Sequence, residues 1–148
     1  DNFNPSYSPD GSAVSGRVVE GTSAADSLVG TTGADTIYGR GGNDLIDGRA
    51  GSDKIHGGEG NDTIEGGAGD DTLYGEAGDD VLTDSQGRNY LDGGEGDDRI
   101  VAQSLTGEHT MVGGAGQDLL FGVGLRMEFD GGEGSDVLVA SGQYQITV

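Results

Sequence analysis

Cysteine and tryptophan are absent from these 148 residues, and proline occurs only twice. Without cysteine there is neither a disulfide framework nor a thiolate metal site. Aromatic residues make up 5% of the chain and hydrophobic residues 32%, too little for a conventional thick core. No apolar run is long enough to cross a bilayer. Cations are scarce as well: 7 Lys and Arg stand against 27 Asp and Glu, for a formal net charge of -20. Phosphate contacts need Lys and Arg, so nucleic acid is excluded as a partner, and an anionic membrane surface is disfavoured for the same reason. The start, Asp1-Asn2-Phe3-Asn4-Pro5-Ser6, has no basic or apolar run and does not read as a signal peptide. On composition alone, the chain is either a disordered acidic polymer or a fold completed by something cationic.

What is present is glycine, 32 residues of it, and a period. From Gly21 onward the chain divides into blocks of nine, with three columns in register. Column one is Gly, at 21, 30, 39, 48, 57, 66, 75, 93, 113, 122 and 131. Column six is Asp: Asp26, Asp35, Asp44, Asp53, Asp62, Asp71, Asp80, Asp98, Asp118 and Asp136, with Asn89 in the seventh block from Gly30. Column eight is apolar, as in Leu28, Ile37, Ile46, Ile55, Ile64, Leu73, Leu82, Leu91, Ile100, Leu120, Phe129 and Leu138. One segment, residues 102–112, is two residues too long for the period. A flexible Gly-rich linker would not keep an aliphatic residue at every ninth position.

The first six residues of a block are Gly-rich and end in Asp, which predicts a turn. The last three, such as Thr63-Ile64-Glu65, predict a short strand whose middle residue alone points inward. One inward side chain per strand cannot be buried by a single block, so blocks must stack. Each turn reverses the chain, two blocks make one coil of eighteen residues, and strands of successive coils pair in parallel. The expected fold class is all-β: a right-handed parallel β-roll, or β-solenoid.

A lone Asp in such a turn would be read as capping its own backbone. Ten in register on so acidic a chain point to metal. Calcium is the cation that takes six to eight oxygens from carboxylates and carbonyls; zinc would want His or Cys, and magnesium keeps its waters. The two His residues, His56 and His109, fall out of phase with the Asp column, and His56 stands in column nine, which points outward.

The blocks, for instance Gly57-Gly58-Glu59-Gly60-Asn61-Asp62-Thr63-Ile64-Glu65, resemble the G-G-x-G-x-D-x-U-x signature of the RTX (repeats-in-toxin) calcium-binding nonapeptide repeats. The resemblance covers residues 21–139. It implies a calcium-dependent β-roll of a bacterial protein exported by type I secretion machinery and folded outside the cell. Family members include pore-forming toxins, proteases, lipases, epimerases, adhesins and surface-layer proteins, so the parent protein stays open.

Turns on the same edge of the roll recur every eighteen residues, so each calcium is expected between one turn and the next on that edge. One edge carries Asp26, Asp44, Asp62, Asp80, Asp98, Asp118 and Asp136 without interruption. The other carries Asp35, Asp53 and Asp71 and then decays through Asn89, the long segment and Gly122–Met127. About six ions on the first edge and two or three on the second, roughly eight in all, would offset most of the charge. The two extra residues are expected to bulge on the weaker edge, with Met111 taking the inward position. Residues 12–20 read as an N-terminal cap, 21–139 as the repeats, 140–148 as a C-terminal cap, and 1–11 as a linker from a preceding domain.

The paired carboxylates Asp70-Asp71, Asp79-Asp80 and Asp97-Asp98 look like acid–base dyads, yet they are columns five and six side by side, so no enzyme is expected. Asn61-Asp62-Thr63 matches a glycosylation sequon but lies inside a turn of the Asp column. The leading function is a folding and secretion module; the alternative is a binding module of an adhesin, surface layer or substrate-recognition domain. For the alternative, Leu105, Val123, Leu125 and Met127 on the decayed edge are candidates for a contact patch with a protein or surface partner. The same residues have a second reading, in which they fold over the edge and replace missing ions by packing.

Overall fold

The structure, a computed structural model, describes residues 16–104 and 106–147. The proposed linker 1–11, residues 12–15 of the proposed N-terminal cap, and Leu105 lie outside the described residues. Among the described residues there are thirteen strands: β1 Val18–Glu20, β2 Ser27–Val29, β3 Thr36–Gly41, β4 Leu45–Asp47, β5 Lys54–Glu59, β6 Thr63–Glu65, β7 Thr72–Ala77, β8 Val81–Asp84, β9 Asn89–Glu95, β10 Arg99–Gln103, β11 Glu108–Gly116, β12 Leu119–Gly134 and β13 Val137–Thr147. No helix occurs among the described residues, and so no helix there is long and apolar enough to span a membrane.

Odd-numbered strands up to β11 pair side by side on one face, and even-numbered strands up to β10 on the other; the long β12 runs through both, and β13 pairs with it. All of these pairings are parallel. Over most of the chain each residue pairs with the one eighteen further on, as Ile37 with Ile55 and Ile46 with Ile64. The chain is therefore an all-β solenoid of stacked parallel strands, two blocks to the coil, as the period requires.

The core is one side chain deep. Ile37, Ile55, Leu73, Leu91, Met111 and Phe129 stack along one face, and Ile46, Ile64, Leu82, Ile100 and Leu120 along the other, each 1% exposed or less. Val19 and Leu28 at one end and Leu138 at the other are only partly buried, because the stack stops there. Such a core leaves the turns, which make up most of each coil, to be held by something other than apolar burial.

Near residue 100 the register changes. Asp98 bonds to Asp118, Arg99 pairs with Leu119 and His109 with Asn89, a spacing of twenty, whereas β11 and β12 pair at eighteen again. The two additional residues thus fall between β10 and β11, where the Gly107 amide reaches the Ser104 carbonyl at 3.4 Å. That placement corrects the reading of His109 as out of phase. Once the extra residues are assigned to this turn, His109 occupies column six, between Asn89 and Met127. His56 stands in outward-pointing column nine. It is stacked between Tyr38 and Tyr74 of the neighbouring coils, at centroid separations of 5.1 and 4.9 Å, and its Nδ1 lies 2.7 Å from Glu76 Oε1.

Candidate metal centre: two unequal rows of buried carboxylates

Each column-six Asp ends a turn, and its side chain folds back under that turn. One oxygen, Oδ1, accepts a hydrogen bond from the column-six backbone N–H of the coil before. Along the first edge Asp26 donates to Asp44, Asp44 to Asp62, Asp62 to Asp80, Asp80 to Asp98, Asp98 to Asp118 and Asp118 to Asp136, at 2.7–3.0 Å. Along the second edge Asp35 donates to Asp53, Asp53 to Asp71 and Asp71 to Asn89, at 2.7–2.8 Å. Column-six carboxylates are thus a ladder fixing one coil to the next, and each uses one oxygen for it.

The second oxygen is what marks the site. Oδ2 of Asp44, Asp62, Asp80, Asp98 and Asp118 on the first edge, and of Asp53 and Asp71 on the second, is buried with no hydrogen-bond partner. A buried carboxylate oxygen without a partner is strongly unfavourable. The cost is visible in proton affinity. Burial, followed by repulsion from like-charged neighbours, pushes Asp53 and Asp62 up to about 6 and Asp80 and Asp98 up to about 7. Asp71 and Asp118 are raised in the same sense, burial again first.

Glycine in column one is what lets this oxygen in. A Cβ on Gly57 would overlap Asp62 Oδ2 and come within 2.8 Å of the Gly75 carbonyl oxygen of the next coil. Gly48 is similar, with a Cβ there 2.7 Å from Asp53 Oδ2 and 2.5 Å from the Gly66 carbonyl oxygen. The missing side chain therefore leaves a cradle bounded by a bare carboxylate oxygen and a main-chain carbonyl. No group of three or more His, Cys, Asp or Glu side chains placed to hold a metal occurs among the described residues. One carboxylate per turn with backbone carbonyls is a donor set of oxygens only, suited to calcium and not to zinc.

Not every predicted position has this form. In the first turn of each edge, a Thr in column two satisfies the carboxylate from within. The Thr22 amide and hydroxyl donate to Asp26 Oδ2 at 2.6 and 2.8 Å, and those of Thr31 donate to Asp35 Oδ2 at 2.5 and 3.0 Å. Asp136 is only half-buried. Asn89 keeps the ladder bond, but its Nδ2 donates to the Gln86 carbonyl at 2.9 Å, so a donor stands where an Asp presents its second oxygen. Sequence reasoning missed Thr22 and Thr31, although both stand in column two, where no other turn has a Thr.

Beyond Asn89 the weak edge changes character. His109 is 2% exposed, neither ring nitrogen has a partner, and burial lowers its proton affinity. Met127 is fully buried in the core cluster, which corrects its assignment to a surface patch: its sulfur fills the space beside Gly122, near Met111 and Phe129. Val123 is half-buried and Leu125 is 58% exposed, so Val123, Leu125 and Met127 do not form one exposed patch; Leu105 lies outside the described residues. Met127 does what the second reading of these residues required, replacing a carboxylate turn by apolar packing.

Column five explains the adjacent carboxylates. The Asp79 amide donates to Asn61 Oδ1, Asp97 to Asp79 Oδ1 and Gln117 to Asp97 Oδ1, at 2.8–3.1 Å. Columns five and six thus form two ladders running in opposite senses, one exposed and one buried. On the weak edge, Asp70 takes the Arg88 amide at 2.9 Å and its guanidinium at 3.1 Å, which together hold Asp70 below the ordinary carboxylate range.

The family model for the RTX calcium-binding nonapeptide repeat (four copies) matches residues 20–55, 48–82 and 74–104. No curated protein sequence matches the chain. The matches end where the two extra residues enter and the carboxylate row of the weak edge has already stopped. Over more than half its length, by column, coil and carboxylate row, the chain belongs to the RTX calcium-binding nonapeptide-repeat family and is a calcium-binding module of that kind.

Proposed function

We propose that this module is a calcium-coupled folding device of a secreted bacterial protein, unfolded where calcium is scarce and folded where it is abundant. The observation that carries this reading is the set of buried, partnerless Oδ2 atoms of column-six Asp, five along one edge and two along the other. Roughly eight ions in two unequal rows, the longer along the first edge, would complete the fold. Calcium supplies the positive charge that the carboxylates lack. The chain's own residues do the rest. Asp Oδ1 atoms lock successive coils, column-one glycines hold the cradle open, and the inward aliphatic row closes the interior. Because no cradle exists in an unfolded chain, cation binding and folding are one equilibrium. That coupling suits export of an unfolded chain and folding outside the cell, and it needs no catalytic group.

Circular dichroism across a calcium titration tests the reading. In chelator the spectrum should be that of a disordered chain. β-structure should appear cooperatively with a midpoint on the order of 10⁻⁴ to 10⁻³ M, the range of extracellular calcium modules. A β spectrum that is unchanged by chelator would overturn it.

A further inference from the structure

The last carboxylate position of the weak edge differs from all the others. Asp84 stands in column one of its turn, aligned by register with Ala102 and Gly122, where earlier coils of the same edge have Gly30, Gly48 and Gly66. Its side chain turns inward: Asp84 is 1% exposed, and its Oδ2 has no hydrogen-bond partner. Oδ1 accepts the Gln86 amide at 3.0 Å, which fixes the carboxylate in this direction.

The glycine cradle shows where Oδ2 points. Around Gly30, Gly48, Gly57, Gly75, Gly93 and Gly113, the space of a Cβ is bounded by the Asp of the same turn and by the column-one carbonyl of the next coil. Around Gly66 that carbonyl is not among the nearest atoms. Asp84 Oδ2 takes its place and would overlap a Cβ there, while Asp71 Oδ2 lies 2.9 Å from the same point. Two bare carboxylate oxygens therefore converge on one cradle, and neither receives a donor from elsewhere in the chain. Without a cation, both carboxylates can be charged only at the cost of burying two like charges side by side.

We infer that Asp71 and Asp84 together form a two-carboxylate cation position that ends the weak row. It binds a divalent cation more tightly than the single-carboxylate positions do. The inference rests on the calcium reading above. Added carboxylate charge in a calcium site raises affinity.

Chelator-competition titration of calcium into the whole chain, with ions counted, tests this on the parent, Asp84→Asn and Asp84→Gly. Asp84→Asn preserves shape and removes charge. Asp84→Gly restores the residue that the other turns carry, so it keeps a folded variant available. The parent should show one ion about tenfold or more tighter than the rest, and in both variants that ion should weaken by a similar factor or vanish while the others are retained. If the parent binds calcium but ion count and affinities are the same in both variants, the Asp71–Asp84 position is wrong and the calcium reading stands. If the parent binds no calcium, both are overturned.

Discussion

Along one edge of the roll five consecutive turns, from Asp44 to Asp118, each bury a carboxylate oxygen that no donor reaches; along the other the run stops at Asp71 and Asp84. Both edges are built on the same nine-residue frame and carry the same backbone ladder as far as Asn89. They differ in what holds the turns apart from that ladder. The strong edge keeps a column-six carboxylate in every turn from Asp26 to Asp136. The weak edge passes from carboxylate to carboxamide at Asn89, then to imidazole at His109, and finally to thioether at Met127. The comparison teaches that the frame itself does not require the metal site. A turn can be closed by a cation, by an internal hydroxyl as at Thr31, or by apolar packing as at Met127, provided the inward residue of the strand is kept.

Mutation of the ladder should separate the edges most widely. Asp62→Ala leaves the Asp44 amide buried and unpaired, at a cost of about 1–3 kcal/mol, and also removes a cation position in the middle of the strong row. Asn89→Ala leaves the Asp71 amide unpaired in the same way but removes no cation position. The calcium midpoint of folding should therefore rise far more for Asp62→Ala, with at least one ion lost. A shift from Asn89→Ala as large or larger would break the distinction between the edges.

A smaller effect is expected on the packed part of the weak edge, and it should not depend on calcium. Met127→Ser empties core volume beside Met111 and Phe129 and should cost about 2–4 kcal/mol at saturating calcium without changing the number of ions bound. Leu125→Ser, on a side chain 58% exposed, should stay within about 0.5 kcal/mol. Denaturant melts of the two variants check this. Equal losses from both, or a changed ion count in Met127→Ser, would mean that packing has not replaced the ions there.

How much of this was legible in the sequence follows from the period. Ile64 and Asp62 could be placed because a strict nine-residue frame fixes both facing and turn, and pairing at eighteen follows from two turns per coil. His109 could not be placed, because its column depends on where two extra residues are accommodated, and only the strand register on either side of them settles that. Asp84 was visible as an Asp in a glycine column, but its meaning required knowing that its carboxylate turns inward onto Gly66. The stack of Tyr38, His56 and Tyr74 joins residues eighteen apart, so it becomes apparent only when one coil is laid over the next.

The central claim is that the buried carboxylates of the turns lack a counter-charge, and that supplying one completes the fold. Protons can supply it as well as a cation. The folded-state values of Asp53, Asp62, Asp80, Asp98 and Asp84 are raised to about 6, 6, 7, 7 and 8, above the 3.8 of an unburied Asp, with burial as the first cause in each. A group whose folded-state value is raised in this way binds its proton more tightly when folded. Acidification from about pH 8 towards the unfolded value therefore stabilises the metal-free fold, and raising the pH removes that stability. The direct measurement is far-ultraviolet circular dichroism of the calcium-free chain in chelator as the pH is lowered from about 8 to about 5, beside the calcium-loaded chain at about pH 8. The account predicts a disordered spectrum at the alkaline end that gains β-structure on acidification, towards the calcium-loaded spectrum. A calcium-free spectrum that is equally β-rich at both ends, or that loses β-structure as acid is added, would contradict it.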